Sequence, residues 1–122
     1  MLQGDFHTHS TYDDGKSTLA QMAAAARSLG LARLGFSGHS WCPGQEDYCI
    51  PREKIGDYLA QARALQTRYA GEMEIFVGLE LDFFGERPQG LDYVIGSVHA
   101  LDRNGRLYAV DESPEATRRA VE

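Results

Sequence analysis

The sequence predicts an α/β fold built on a parallel β-sheet, as an open layer or a barrel. Predicted strands and helices alternate along the chain, which favours parallel strands joined by crossover helices. The chain has 122 residues, the usual size of one domain but short for a complete barrel. Its composition, 43% apolar and 25% charged residues, is that of an ordinary globular protein. We therefore expect a single domain over residues 1–122.

The first half of the chain predicts a strand, a helix and a second strand. The first strand is expected at residues 2–6. Ser17 can cap a helix that extends to about Leu29 and ends at Gly30. Apolar residues recur in it at helical spacing and predict one buried face: Leu19, Met22, Ala23, Ala26 and Leu29. Residues 32–37 (ARLGFS) then predict a buried strand.

The middle of the chain repeats this order after a long connection. Residues 39–51 (HSWCPGQEDYCIP) are rich in Pro, Gly and polar residues and predict an exposed loop. A second helix is expected after Pro51 and ends at Gly71. Its predicted buried face contains Ile55, Tyr58, Leu59, Ala62, Leu65 and Tyr69. A third and a fourth strand are expected at about 74–79 and 92–97.

The last part of the sequence predicts a hairpin and the beginning of a helix. Asn104-Gly105 lies between two extended segments and favours a tight type I′ turn. Ser113, Pro114 and Glu115 are typical of a helix N-terminus. This helix reaches only about two turns without a stop signal. We expect either the N-terminal piece of a longer domain or a naturally frayed terminal helix.

The charge of the chain disfavours two classes of binding partner, and the spacing of its cysteines argues against a standard zinc motif. The net charge is −6, with 18 acidic and 12 basic residues, which disfavours a nucleic-acid surface or an anionic-membrane anchor. The sequence contains no membrane-spanning apolar stretch and no secretory signal, so we expect a cytoplasmic protein. The spacing of Cys42 and Cys49 matches no standard zinc motif. We expect both to be free thiols.

Each of the four predicted parallel strands has a potential metal ligand at or just beyond its C-terminal end. These residues are His7, His9, His39, Glu80 and His99. The C-terminal ends of parallel strands meet at one edge, where loops converge, so we expect these side chains to lie together. Imidazole nitrogens combined with carboxylate oxygens suit Zn, Mn or Fe.

Two local motifs strengthen this prediction. His7 and His9 are separated by one residue, so in an extended segment they face the same side and can bind one ion. Asp14 follows in an Asp13-Asp14-Gly15 turn, where Gly15 permits the backbone reversal that directs the Asp14 carboxylate to the same edge. Each motif alone has an ordinary explanation, a surface histidine pair or a solvated turn. Together they predict a site for several divalent ions, which suits phosphoryl chemistry.

Several motifs of the sequence resemble those of a known family. HTHSTYDDGKST, GFSGHS, GLELDF and DYVIGSVHALDRNG, followed by YAVDESPE, resemble the histidinol-phosphatase branch of the PHP superfamily, in order and over nearly the whole chain. The resemblance implies a distorted (β/α)7 TIM-like barrel, of which this chain would form the N-terminal part. It also implies up to three divalent ions at the C-terminal edge of the strands.

The resemblance assigns each candidate residue to an ion. His7 and His9 would bind the first ion, and His99 the second. Glu80 would bridge these two ions, while Asp14 and His39 would bind the third. The implied reaction is hydrolysis of L-histidinol phosphate, a small phosphorylated substrate, to L-histidinol and phosphate in histidine biosynthesis. The implied nucleophile is a metal-bound hydroxide, with no catalytic side chain beyond the metal ligands.

The sequence departs from the family pattern in two ways. Gly38 stands where the family commonly has an acidic residue, so we expect His39 to be held less firmly. The family completes its site with a histidine after a later strand and an Asp-x-His near the C-terminus, and this sequence has only four histidines. We therefore expect the 122-residue chain alone to be inactive or weakly active.

Two alternatives remain at the level of sequence. The domain could be a PHP phosphoesterase that acts on another phosphate, such as a nucleic-acid end, although the acidic balance of the chain argues against this. As a chain of only 122 residues, it could also be a non-catalytic fragment or binding module. Metal content and phosphatase activity separate these possibilities.

Overall fold

The computed structural model describes residues 3–103, 106–109 and 118. Within them, four strands form one parallel sheet in chain order: β1 (Gly4–Asp5), β2 (Arg33–His39), β3 (Glu74–Asp82) and β4 (Tyr93–Ser97). Two helices connect the first three strands: α1 (Leu19–Ser28) and α2 (Ile55–Arg68), the latter preceded by a 3-10 turn at Arg52–Lys54. This order confirms the predicted α/β fold with parallel strands.

The hydrophobic core lies between the helices and one face of the sheet. Its fully buried members include Phe36 on β2, Val77 and Leu79 on β3, and Tyr58 and Ala62 on α2. Burial of each large apolar side chain contributes about 1.5–3 kcal/mol. The core therefore fixes the two central strands, whose C-terminal parts carry His39 and Glu80.

Helix α1 begins one residue later than predicted. Thr18, not Ser17, is the N-cap, because the Thr18 side chain accepts a hydrogen bond from the Gln21 N–H and the Gln21 side chain accepts one from the Thr18 N–H. The predicted buried face is correct at Leu19, Ala23 and Ala26 and partly correct at Met22. It is wrong at Leu29, which is the C-cap of the helix and is 79% exposed.

Helix α2 confirms its predicted face and ties the two central strands together. Tyr58, Ala62, Leu65 and Tyr69 are buried, and Ile55 and Leu59 pack against the core. The Gly38 N–H donates to the Tyr58 hydroxyl, which donates in turn to the Gly78 carbonyl. One buried side chain thus fixes the distance between β2 and β3. Gly71 follows the helix with a φ of 87°, as its role as a stop signal requires.

Strands β2 and β3 are longer than predicted, and the loop between β2 and α2 is less exposed. His39 and Glu80 lie inside the paired region, opposite each other, because β3 extends to Asp82. The prediction of an exposed loop at 39–51 is wrong in its interior, where Cys42, Cys49 and Ile50 are buried. The Ile50 N–H donates to the His39 carbonyl, which folds the loop back onto the end of β2.

Residues 83–92, between β3 and β4, contain no helix, so the strand–helix alternation ends at β3. The predicted hairpin is present in its two strands, β5 (Ala100–Arg103) and β6 (Arg106–Ala109), which pair antiparallel. The Asn104-Gly105 turn lies outside the described residues, as does the predicted helix at 113–122 apart from position 118. In the described part of the chain, none of the helices has the length and apolar character needed to span a membrane.

The face of the sheet opposite the helices is divided between two kinds of side chain. Phe6, Phe76 and Tyr93 form an aromatic cluster, with ring centroids 5.5 and 5.9 Å from Phe6. Histidines and carboxylates occupy the same face at the C-terminal edge of the strands, which we call the rim. The aromatic cluster thus lies beneath a polar site.

Candidate metal centre

The structure brings all six predicted site residues together at the rim. They are His7, His9, Asp14, His39, Glu80 and His99, and they come from four separate segments of the chain. Together with Asp13 they form three overlapping groups, in each of which the potential ligand atoms lie within 4.8 Å of one another. The prediction that the strand ends converge is therefore confirmed.

Glu80 is the common member of two of these groups. Its Oε2 lies 3.5 Å from His7 Nε2, 3.4 Å from His9 Nε2 and 3.0 Å from His39 Nδ1. This oxygen is buried, yet it makes no hydrogen bond to any of the described residues. An unpaired buried carboxylate oxygen costs more than about 1–3 kcal/mol. A bound cation would remove that cost, so the position suits a metal ion.

Asp14 and His39 form a second contact at the rim. Asp14 Oδ2 lies 3.4 Å from His39 Nε2, and the Asp14 side chain remains 45% exposed. Burial lowers the pKa of His39, although the neighbouring carboxylate of Glu80 opposes this. The imidazole is therefore neutral near pH 7, which is the form that binds metal ions.

His99 lies just beyond β4 and is held by a residue that the sequence reasoning missed. The Asp82 Oδ2 accepts hydrogen bonds from the His99 backbone N–H at 3.1 Å and from the ring Nδ1 at 2.6 Å. The other ring nitrogen, Nε2, lies 3.9 Å from Glu80 Oε1. The sequence GLELDF contained a signal for Asp82. Glu80 and Asp82 are separated by one residue, so in a strand both side chains lie on the same face.

Asp13 was also missed as an individual site residue. Its fully buried carboxylate lies 2.8 Å from His9 Nδ1. Burial acts to raise the pKa of Asp13, but the hydrogen bonds from His9 and from the backbone N–H groups of His39 and Ser10 outweigh it and lower the pKa. The same bond raises the pKa of His9. No local sequence signal distinguishes the inward Asp13 from the exposed Asp14.

Glycine is required at position 15 because the turn approaches the backbone of His9 and Ser10 closely, and not because of an unusual backbone angle. A Cβ at this position would lie 2.3 Å from the His9 carbonyl oxygen and 2.5 Å from the Ser10 nitrogen. Only glycine lets the turn close this tightly on the histidine segment. The predicted importance of Gly15 in directing the turn is consistent with this contact.

The two cysteines are free, as predicted, but both are buried. Burial raises the pKa of Cys42 to about 11 and that of Cys49 to about 12. Neither sulfur belongs to a potential metal group among the described residues. The donor set at the rim consists of imidazole nitrogens and carboxylate oxygens, which fits divalent ions such as Zn, Mn or Fe.

A family model and two curated relatives match the sequence. The model of the PHP domain matches residues 5–121. An inferred histidinol-phosphatase of Deinococcus radiodurans is 35% identical over 109 residues, which are 80% of this chain and 42% of that protein. The DNA polymerase/3′-5′ exonuclease PolX of Bacillus subtilis is 25% identical over 107 residues, which are 82% of this chain and 19% of that protein.

Two solved structures share the fold. An inferred histidinol phosphatase of Listeria monocytogenes has a TM-score of 0.74 at 18% identity, covering 93% of this chain and 51% of that one. The histidinol phosphate phosphatase of Lactococcus lactis, complexed with Zn, L-histidinol and phosphate, has a TM-score of 0.65 at 23% identity, covering 86% and 43%. The chain thus spans about half or less of the proteins it matches, and its sheet corresponds to part of a TIM-like barrel. The match over residues 5–121, with the histidines and carboxylates gathered at the rim, shows that this chain belongs to the PHP domain family.

Proposed function

We propose that this PHP domain is part of a metal-dependent phosphomonoesterase that hydrolyses L-histidinol phosphate to L-histidinol and phosphate, a step of histidine biosynthesis. The observation that carries the proposal is the buried Glu80 Oε2, which has three imidazole nitrogens within 3.5 Å and no hydrogen bond among the described residues. Such an oxygen suits a cation better than a proton donor. A phosphatase of this kind needs cations at the reacting centre.

We assign the proposed ligands by the groups that the side chains form. His7 and His9 would share one ion with Glu80, and His39 or His99 would share another with the same carboxylate. Asp14 and His39 would hold a third ion. When bound, divalent ions such as Zn, Mn or Fe supply an activated water and neutralise the charge of the phosphoryl group. The residues of this chain supply the positions, and no further side chain is proposed as nucleophile.

A solved relative supports a small phosphorylated substrate. The Lactococcus lactis relative was solved with Zn, L-histidinol and phosphate, and it has the same fold over 86% of this chain. The chain itself carries a net charge of −6, so bound cations are needed before an anionic phosphate is attracted to the rim. Both the substrate and the metal dependence are proposals for this chain.

A second candidate is a phosphoesterase acting on nucleic-acid ends. The match to Bacillus subtilis PolX favours it. The identity of 25% is lower than that to the Deinococcus radiodurans relative, and the acidic charge disfavours a nucleic-acid surface. We therefore rank this candidate second.

The test is a phosphate-release assay of the complete gene product with Zn or Mn. Histidinol phosphate and an oligonucleotide with a terminal phosphate are compared as substrates. We expect release from histidinol phosphate that is lost on chelation and in Glu80→Gln. Release from the oligonucleotide alone would favour the second candidate, and no release with any metal would refute the proposed activity.

We also propose that the complete site uses residues beyond this portion of the domain, since the chain spans 42% of the Deinococcus radiodurans relative. The 122-residue chain is then a weak enzyme or a non-catalytic metal-binding module. Metal analysis of the purified chain, run beside the same assay, tests this. Full multi-metal occupancy with normal turnover by the chain alone would contradict it.

A further inference from the structure

We propose that Asp13 is a positioning residue that prepares both His9 and His39 for metal binding, an inference that rests on the proposed function of the rim. The carboxylate of Asp13 is fully buried. It accepts hydrogen bonds from His9 Nδ1 at 2.8 Å, from the His39 backbone N–H at 3.0 Å and from the Ser10 backbone N–H at 3.1 Å. One side chain therefore contacts two separate segments that carry candidate ligands.

The contact with His9 determines which ring nitrogen is available. An ionised carboxylate can only accept hydrogen bonds, so His9 must carry its proton on Nδ1. In the neutral imidazole, Nε2 is then left with a lone pair. That nitrogen lies 3.4 Å from the unpaired Oε2 of Glu80. Asp13 thus directs the free lone pair of His9 toward the place where an ion would be shared with Glu80.

The contact with His39 fixes the end of β2. Asp13 Oδ2 accepts from the His39 N–H, while the carbonyl of His39 accepts from the Ile50 N–H at 3.0 Å. The His39 backbone is therefore held on both sides, and its ring stacks on that of His9 with centroids 4.4 Å apart. The same carboxylate therefore links the ring of His9 to the backbone of His39.

Gly38 provides the space for this arrangement. A Cβ at position 38 would lie 3.2 Å from Asp13 Oδ1 and 2.8 Å from Ile50 Cδ1. A side chain at position 38 would therefore compete with the Asp13 carboxylate for this space.

The geometry separates Asp13 from Asp14, the proposed ligand beside it. Both oxygens of Asp13 accept hydrogen bonds from this chain, and its side chain has no exposed surface. Asp14 is 45% exposed, and its Oδ2 lies 3.4 Å from His39 Nε2. Asp13 therefore acts through the histidines, while Asp14 is free to bind an ion.

The experiment measures the His9 tautomer and the Zn affinity separately. In the ¹⁵N-labelled, metal-free complete gene product, long-range ¹H–¹⁵N correlation spectra report which ring nitrogen carries the proton, with His9→Gln used for assignment. We expect Nδ1–H in the wild type and a mixture of tautomers in Asp13→Ala. Zn affinity, measured by competition with a chromophoric chelator, should fall about 10–100-fold in Asp13→Ala and less in Asp13→Asn, which keeps one acceptor oxygen.

Asp92→Ala is the matched control. Asp92 accepts hydrogen bonds from the Val77 N–H and from the side chains of Arg63 and Gln66, so its loss also removes a carboxylate with a structural role. We expect it to lower stability and to leave the His9 tautomer and the Zn affinity unchanged. A drop in affinity as large as that of Asp13→Ala would mean that general destabilisation explains both.

Two results would overturn the proposal. One is a wild-type His9 that carries its proton on Nε2, which can be seen even if Asp13→Ala does not fold. The other is wild-type Zn affinity in Asp13→Asn and Asp13→Ala. Wild-type protein that binds Zn but does not hydrolyse histidinol phosphate would refute the proposed substrate, while the result for Asp13 would still stand.

Discussion

The carboxylate of Glu80 lies among four imidazole rings, and its environment explains much of the chemistry at the rim. Its two oxygens lie between 3.0 and 3.9 Å from nitrogens of His7, His9, His39 and His99. A buried carboxylate oxygen without a hydrogen bond among the described residues is poorly stabilised in the metal-free protein. The same arrangement becomes favourable when a divalent cation lies between oxygen and nitrogen.

Gly15 provides the first prediction at the residue scale. In Gly15→Ala, the new Cβ would lie 2.3 Å from the His9 carbonyl oxygen, so the backbone of the turn or of the histidine segment must move. We expect a loss of about 1–3 kcal/mol in the free energy of unfolding. Urea denaturation followed by circular dichroism measures it, and Zn affinity should fall together with stability.

Gly56→Ala is the control for this substitution. Gly56 lies in the first turn of α2, where a Cβ would meet no atom within 4 Å. Since alanine loses less conformational freedom than glycine in a helix, stability should rise by up to about 0.5–1 kcal/mol. Suppose Gly15→Ala were as stable as the wild type while Gly56→Ala behaved as expected. This would contradict the close contact of Gly15 with the backbone of the histidine segment.

At the scale of elements, Asp92 joins α2 to the sheet at the start of β4. Its Oδ2 accepts hydrogen bonds from Arg63 on α2 at 2.8 Å and from the Val77 N–H on β3 at 2.8 Å. Desolvation acts to raise the pKa of Asp92, but the hydrogen bonds from Arg63 and Val77 outweigh it and lower the pKa below its ordinary value. The charged form is therefore favoured in the folded protein.

This shift predicts a pH-dependent contribution to stability. A carboxyl group with a lowered folded-state pKa stabilises the fold above its ordinary pKa of 3.8, and this is lost as the pH falls through the lower folded value. Asp92→Asn should thus cost about 1 kcal/mol or less at pH 7, since the group is partly exposed. The difference from wild type should shrink below about pH 4, as measured by urea unfolding at several pH values. A difference that grew on acidification would contradict this assignment.

At the scale of the whole molecule, metal binding should stabilise the entire described fold. The candidate ligands follow β1 and β4 or lie near the C-terminal ends of β2 and β3, so unfolding of any of these elements disrupts the cluster. With free Zn at about 100 times its dissociation constant, the expected gain is about 2.7 kcal/mol. Thermal melting with Zn and after chelation measures this gain.

Glu80→Gln is the matched variant for that measurement. It keeps the size of the side chain and removes the charge that two of the three groups share. We expect the Zn-induced rise in melting temperature to disappear, while the metal-free protein melts at the wild-type temperature or higher, because an unpaired buried charge is removed. An equal rise with Zn in the wild type and in Glu80→Gln would show that the ion binds elsewhere.

Much of the site could be predicted because a parallel sheet brings the ends of distant strands to one edge. The order of strands and helices, read from apolar spacing, was enough to place His7, His9, His39, Glu80 and His99 at that edge. What failed were features that depend on contacts between segments. The N-cap of α1 is an exception, because the local capping-box pattern of Thr18 and Gln21 distinguishes Thr18 from Ser17 in the sequence itself.

The amino-acid sequence by itself determined the fold class, the approximate helices and strands, and the set of candidate ligands. The spacing of apolar residues and the residue types at the ends of strands can both be read from short stretches of sequence. The tertiary structure alone decided how far β3 extends, that the loop at 39–51 is buried in its interior, and which of two adjacent aspartates faces inward. Asp13 is directed inward by the backbone of His39, 26 positions away in the chain. Such a choice follows from pairing and packing across the sheet, which no local pattern encodes.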